Sequence, residues 1–150
     1  MTRSRIHIGT HVIADVDGVE SACLTNVELL MDTFRAALTS EGARILETAS
    51  HVFPHTNGVT GVFMLAESHA TFHSWPEYSL LCLDVFSCGL MRPEIVLEKV
   101  LAGIPYENVK TLVVARSGVG SGPTSQVNGG TQSCFSPRPI NVKAIGDILR

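Results

Sequence analysis

The 150-residue sequence has few charged residues, no excess of basic charge and no cysteines in a CxxC pair. Lysine and arginine number 11 against 14 acidic residues, which gives a formal net charge of −3. A protein that binds nucleic acid through its phosphates carries clustered basic charge, and the sequence has no such cluster. We therefore expect no nucleic-acid partner.

Long apolar runs are also missing. A membrane-spanning helix needs roughly 18 consecutive apolar residues, and the most apolar N-terminal stretch, residues 5–16, is interrupted by His7, Gly9, His11 and Asp15. The four cysteines are too sparse for a disulfide-rich scaffold, which favours reduced thiols. The sequence thus predicts a cytoplasmic protein with no membrane partner.

What the sequence does contain is 45% hydrophobic residues, which predicts one folded domain over residues 1–150. Periodicity and turn residues predict strands over residues 5–16, 43–53, 59–66 and 109–115, and a β-rich stretch over residues 70–88 that is broken at residues 75–77 by a proline. They predict one helix from a capping box at Thr25 to Gly42, and a second helix from Pro93 to Gly103. This order is typical of an α+β fold, here a two-layer α/β sandwich with a mainly antiparallel sheet and helices on one face.

The C-terminal part of the sequence is rich in residues that break regular structure. Residues 117–139 hold five of the 13 glycines and three of the 7 prolines. This composition predicts a flexible loop or tail, followed by a short closing helix over residues 140–149.

Reactive side chains concentrate between positions 67 and 88: Glu67, Ser68, His69, His73, Glu77, Asp84 and Cys88. Such groups are costly to bury without partners, so their density predicts a site. One interpretation is structural, with hydrogen-bonded histidines in a strand. A second is a metal site built on His69 and His73 and completed by Glu77 or Cys88. A third is nucleophilic chemistry by Ser68, assisted by a histidine and a cysteine.

The spacing constrains the nucleophilic interpretation. In one unbroken strand, Ser68 and His73 would lie on opposite faces and about 16 Å apart. These two side chains can meet only if the chain bends near residues 67–69.

Residues 65–78, LAESHATFHSWPEY, and residues 84–89, DVFSCG, resemble the signature of the prokaryotic S-adenosylmethionine decarboxylase proenzymes. The Glu-Ser-His, His-x-Trp-Pro-Glu-Tyr and Cys-Gly elements stand in the order and at the intervals of that family. A looser similarity includes residues 9–12 and 58–61, so that the resemblance covers roughly residues 5–115. It implies an α/β sandwich that commonly forms dimers.

The resemblance also implies a reaction. Members of the family cut themselves between the residues that match Glu67 and Ser68, which would give a β chain of residues 1–67 and an α chain of residues 68–150. The serine becomes a covalent pyruvoyl group through an ester and a dehydroalanine. The amine of S-adenosylmethionine then forms a Schiff base with this group, and carbon dioxide leaves. The product supplies aminopropyl groups for spermidine synthesis.

The family's residue roles can be carried over position by position. His73 matches a proton-transfer residue in self-processing, and Thr60 stands where the family usually has a serine that assists processing. Cys88 matches the general acid that returns a proton to the substrate α-carbon. Phe53 matches an aromatic residue expected to stack on adenine, and Glu77 a carboxylate near the substrate. The resemblance implies no metal, and it implies a homodimer of the cleaved αβ unit.

Two departures from the family pattern leave the substrate open. Ser79 follows Tyr78 where many members have glycine, and Ser87 precedes Cys88 where threonine is usual. One alternative is therefore a pyruvoyl-dependent ornithine or arginine decarboxylase of the same fold. Another is a non-catalytic homologue that binds a metal through His69 and His73.

Overall fold

A computed structural model of the chain describes residues 4–66 and 68–120. Within them, the strands are β1 (Ser4–Asp17), β2 (Ile45–Val52), β3 (Val59–Leu65), β4 (Ser68–Trp75), β5 (Leu80–Ser87) and β6 (Asn108–Gly120). The helices are α1 (Ser21–Leu24), α2 (Val27–Ser40) and α3 (Pro93–Ala102), with a short 3-10 helix over Pro76–Tyr78. None of these helices is long and apolar enough to cross a membrane.

The six strands form one sheet in the order β2-β3-β4-β5-β1-β6, and every neighbouring pair is antiparallel. The predicted α+β fold is therefore confirmed. The N-terminal strand β1 lies between β5 and β6, two strands that come from the second half of the chain.

One face of the sheet is packed against helices. Along β5, Leu81, Leu83 and Val85 are buried on this face, as their predicted alternation requires. The ring of Phe34 on α2 packs against that of Phe72 on β4, with the ring centroids 4.7 Å apart and the planes tilted by 35°. The apolar stripe of α2 is thus the inner layer of the core.

The opposite face, which we call the open face, carries alternate side chains of the same strands. It includes His11, Ile13, Thr60, Val62, Met64, His69, Thr71, His73, Asp84, Phe86 and Leu112. Several of its apolar members are substantially exposed, among them Met64 at 47% and Ile13 at 40%.

The N-cap of helix α2 lies one residue later than predicted. Asn26 accepts a hydrogen bond from Leu29 N at 3.0 Å, whereas the hydroxyl of Thr25, which ends α1, donates back to the O atom of Ser21, where α1 begins. The predicted capping box at Thr25 is therefore wrong, because the preceding turn of helix takes up its side chain. Helix α3 begins at Pro93 as predicted, with Val96 and Val100 buried.

Strand β6 is longer than predicted. It pairs with β1 from Asp17↔Asn108 to Ser4↔Gly120, so residues 117–120 of the predicted loop belong to the sheet. The prediction for these residues is wrong because β1 offers a long partner edge that local composition does not reveal. The rest of the predicted loop, the predicted closing helix and Glu67 lie outside the described residues.

Candidate active site

Strand pairing places polar side chains in rows across the open face. His69 pairs with Met64 on one side and Phe86 on the other, and Phe86 pairs with His11. In the next row, Thr71 pairs with Asp84. Because directly paired residues point to the same side of a sheet, these rows bring side chains from β1, β4 and β5 together.

The first polar group, which we call the Ser68 group, is centred on the Asp84 carboxylate. The Ser68 Oγ lies 3.3 Å from His69 Nδ1, and His69 Nε2 lies 3.5 Å from Asp84 Oδ1. The same carboxylate oxygen lies 3.1 Å from His11 Nε2. The Thr71 hydroxyl donates to Asp84 Oδ2 at 2.6 Å. Two hydroxyls, two imidazoles and a carboxylate thus form one connected group of side chains.

Ser68 has an unusual backbone conformation. Its backbone φ angle is +153°, a value that residues other than glycine rarely adopt. Ser68 is nevertheless paired in the sheet with both Leu65 and Ser87. Such strain is concentrated at functional sites in proteins. The strained position here carries the hydroxyl that faces His69.

Cys88 lies at the same end of the sheet as Ser68, since it follows Ser87, the β5 partner of Ser68. It is exposed. Gly9 on β1 allows this segment to approach, because a Cβ at that position would lie 2.3 Å from Ser87 O and 3.0 Å from Cys88 Cα.

The second polar group, which we call the His73 group, lies toward the other end of the open face. Thr60 Oγ1 and His73 Nδ1 are 2.8 Å apart. Thr60 is also paired with His51, whose ring makes an edge contact with Phe53 at 5.0 Å. Glu77 is exposed in the 3-10 helix that follows β4. The sequence-predicted residues Thr60, His73, Phe53 and Glu77 therefore belong to one end of the sheet.

The two groups are separated within the chain. Strand β4 continues from Ser68↔Ser87 to Trp75↔Leu80 without a shift in register, so Ser68 and His73 are about 16 Å apart at a rise of roughly 3.3 Å per residue. Strand β4 therefore has no bend between Ser68 and Trp75 that would bring Ser68 and His73 together. The same rise places His69 and His73 about 13 Å apart, too far to ligate one ion, so the predicted metal site on this pair is wrong.

Three other side chains form a candidate metal site. The ligand atoms of His11, His69 and Asp84 all lie within 4.8 Å of one another. However, Arg116 Nη1 lies 3.3 Å from His11 Nδ1, and a guanidinium only donates hydrogen bonds. His11 Nδ1 is therefore an acceptor, the ring hydrogen is on Nε2, and that nitrogen donates to Asp84 rather than offering a lone pair to a metal.

Sequence reasoning did not assign roles to His11, Asp84 or Arg116. One signal was present, since Asp84 interrupts the apolar alternation of β5. The contact itself joins residues 73 positions apart in the sequence, and only the pairing of β1 with β5 brings them together.

Cys82, which lies on the open face, differs from Cys88 in its surroundings. Cys82 pairs with His73 and with Asp15. Burial, reinforced by the hydrogen bond and negative charge of Asp15, raises the pKa of the Cys82 thiol to about 12. Cys82 is thus a protonated thiol at neutral pH and a poor nucleophile.

Comparison with known proteins gives a consistent set of similarities. The family model of S-adenosylmethionine decarboxylase matches residues 10–117. The S-adenosylmethionine decarboxylase proenzyme of Caldanaerobacter subterraneus subsp. tengcongensis is 42% identical over 82 residues, which are 55% of this chain and 65% of that relative. The chain thus spans slightly less than two thirds of that protein's length.

Other relatives are matched over more of their length. The proenzyme of Anoxybacillus flavithermus is 34% identical over 116 residues, which are 77% of this chain and 90% of that relative. The crystal structure of the adenosylmethionine decarboxylase from Aquifex aeolicus superposes with a TM-score of 0.69 at 27% identity, covering 79% of this chain and 98% of that one.

Proposed function

The chain belongs to the S-adenosylmethionine decarboxylase family, and we propose that it is a self-processing, pyruvoyl-dependent enzyme that decarboxylates S-adenosylmethionine for spermidine synthesis. The observation that carries this proposal is the Ser68 hydroxyl, held beside the His69 imidazole on a strained backbone. Cys88 at the same end of the sheet supports it.

The first step of the proposal is self-cleavage between Glu67 and Ser68. Ser68 begins β4, directly after the hairpin from β3, and its hydroxyl has an imidazole within reach. Attack by this oxygen on the preceding carbonyl would exchange an amide for an ester and relieve the strained φ of Ser68.

The sheet order explains how the cut chain would stay together. Residues 1–67 supply β1, β2 and β3, and residues 68–150 supply β4, β5 and β6. Strand β1 lies between β5 and β6, and β3 pairs with β4. The proposed β and α chains therefore interleave in one sheet, whose hydrogen bonds hold them as one folded unit.

The residues around Ser68 fit the proposed pyruvoyl group. Its carbonyl would supply an electron sink for the charge left at the substrate α-carbon when carbon dioxide leaves. His69 borders the position from which the group would be made, and Cys88 lies beyond the β5 partner of Ser68. In this proposal the Cys88 thiol donates a proton to the α-carbon, which needs a reduced thiol and therefore suits the cytoplasm.

The separation of the two groups supports a homodimer. His73 is about 16 Å from Ser68 along β4, so it can serve self-processing only at the Ser68 of a second copy. The open face offers exposed apolar side chains, including Val62 at 39% and Met64 at 47%. Two open faces related by a two-fold axis would place the His73 group of each copy against the Ser68 group of the other.

In such a dimer, Phe53 and Glu77 would come to the Ser68 site together with His73. Phe53 is 47% exposed and Glu77 is exposed, so both are available to a ligand. We propose that Phe53 stacks on the adenine of the substrate and that Glu77 accepts hydrogen bonds from it.

Carbon dioxide release tests the substrate. Carboxyl-labelled S-adenosylmethionine, ornithine and arginine are supplied separately to the purified protein, and the label released as gas is counted. The proposal expects release from S-adenosylmethionine alone. Release from ornithine or arginine in its place would reassign the substrate while keeping the chemistry.

A further inference from the structure

Ser68, His69 and Asp84 form a chain of side chains that resembles a nucleophile, its base and an orienting carboxylate. We infer that His69, oriented by Asp84, is the base that takes the Ser68 hydroxyl proton in the first step of self-cleavage. This inference rests on the proposed function, because it assigns a role within self-processing. It gives His69 a role beyond that of a hydrogen-bonded strand histidine or a metal ligand.

The contacts favour one nitrogen of His69 as the base. Its Nε2 lies 3.5 Å from Asp84 Oδ1, and a carboxylate oxygen attracts an N–H because it only accepts hydrogen bonds. This contact favours the tautomer with the ring hydrogen on Nε2, in which Nδ1 carries the lone pair. Nδ1 is the nitrogen that lies 3.3 Å from Ser68 Oγ, so in that tautomer the lone pair faces the hydroxyl.

The carboxylate is itself held in place from both sides. Thr71 donates to Oδ2 at 2.6 Å, and His11 Nε2 donates to Oδ1 at 3.1 Å. The orientation of His11 is in turn set by Arg116, which donates to its Nδ1 at 3.3 Å. Asp84 is therefore a positioning residue, which fixes the tautomer and the direction of the His69 ring.

In the proposed step, His69 carries one proton from the Ser68 hydroxyl to the Ser68 nitrogen. The Ser68 Oγ–H bond breaks and its proton moves to His69 Nδ1, while Oγ forms a bond to the carbonyl carbon of residue 67. The bond between that carbon and the Ser68 nitrogen then breaks, and the imidazolium returns the proton to the nitrogen. The result is an ester and a free amine, with His69 again neutral.

In this assignment His69 acts in the acyl shift and His73 in the later elimination. His69 contacts Ser68 Oγ in the same chain, whereas His73 lies about 16 Å away along β4. The acyl shift needs a base next to Ser68 Oγ, and His69 is the histidine in contact with that atom. His73 of a second copy would then act in the later elimination, in which the proton on the Ser68 Cα is removed.

Hydroxylamine distinguishes the two steps, because under mild conditions it cleaves an ester at position 68 and leaves ordinary amides intact. Cuts at the hydroxylamine-sensitive Asn57–Gly58 and Asn128–Gly129 bonds give fragments of other masses. Full-length His69→Ala, His73→Ala and His55→Ala variants are purified, treated with hydroxylamine and weighed by mass spectrometry. His55 is an exposed turn residue outside both polar groups, and its variant serves as the control. We expect His69→Ala to self-cleave about 10²–10⁴-fold more slowly than the control and to stay uncut at position 68 in hydroxylamine.

Two results would overturn the inference while leaving self-processing in place. One is self-cleavage of His69→Ala at the rate of His55→Ala. The other is cleavage of His69→Ala by hydroxylamine at position 68, since this would show that the ester forms without the imidazole. If the unaltered chain itself neither cleaves nor responds to hydroxylamine, the proposed function fails instead.

Further readouts separate a chemical role of His69 from a structural one. Imidazole in the buffer should restore cleavage to folded His69→Ala, with folding checked by circular dichroism, and no restoration counts against the inference. Asp84→Asn should slow cleavage by on the order of 10²-fold or more, because an amide can donate to Nε2 and move the ring hydrogen to Nδ1. Asp84→Glu should recover part of that loss, and equal rates for Asp84→Asn and the unaltered chain would contradict the positioning role.

Discussion

Thr60 on β3 and His73 on β4 are hydrogen-bonded at 2.8 Å, at the end of the open face that lies away from Ser68. In the proposed function both residues assist self-processing, yet neither can reach Ser68 in its own chain. The separation follows from the unbroken register of β4 with β5. It makes a second copy of the chain part of the proposed chemistry.

Complementation between inactive variants tests that arrangement. Ser68→Ala and His73→Ala chains, each expected to remain uncut alone, are coexpressed with different tags. A mixed dimer joins an intact Ser68 group to an intact His73 group, so the His73→Ala chain should be cleaved. If this chain stays uncut in mixed dimers isolated by both tags, His73 does not act across an interface.

Replacement of the proposed general acid should separate processing from turnover. Cys88→Ala is expected to cleave to the same extent as the unaltered chain, while carbon dioxide release falls by about 10²–10⁴-fold. The control is Cys23→Ala, at a partly buried cysteine on α1 far along the chain from β5. Equal turnover of the two cysteine variants would remove Cys88 from the mechanism.

Gly9 should tolerate no side chain. A Cβ there would lie 2.3 Å from Ser87 O, so Gly9→Ala must push β1 away from the segment that carries Cys88. We expect a lower melting temperature and slower decarboxylation. Gly118→Ala on β6 is the matched variant, because its nearest contact is the flexible end of Ile8 at 3.1 Å. Similar losses in both variants would argue against a special role of Gly9.

The Cys82 thiol should make stability depend on alkaline pH. Burial, with Asp15 adding to it, raises its pKa from an ordinary 9.0 to about 12 in the folded chain. Between these values the unfolded chain loses the proton and the folded chain keeps it, so the free energy of unfolding falls as pH rises. Urea unfolding from pH 8 to 11 should show this fall, and Cys82→Ala should weaken it. An identical pH dependence in both would contradict the raised pKa.

Local patterns in the sequence were sufficient for most of the fold. Periodicity and turn residues predicted strands and helices that the structure contains, and the buried Leu81, Leu83 and Val85 follow the two-residue period of a strand. The exceptions depend on distant partners. The length of β6 is set by β1, and the start of α2 by the extra turn that ends at Leu24.

The resemblance predicts a set of site residues but not their arrangement. It assigns roles to Ser68, His73 and Cys88, which lie within about twenty positions of one another in the sequence. Their positions on the sheet depend on the strand register, which separates Ser68 from His73. The network through His11 and Asp84 depends on the pairing of β1 with β5, which no local motif encodes.

Self-cleavage at Ser68 can be read from the intact mass of the purified protein under denaturing conditions. We expect two fragments that divide at Ser68, with the larger fragment lacking an N-terminal amine and reacting with a carbonyl reagent. Ser68→Ala should give one uncut chain, and Ser50→Ala, at an exposed position on β2, should be cut like the unaltered protein. A single unaltered chain of full mass that persists on prolonged incubation would contradict the account.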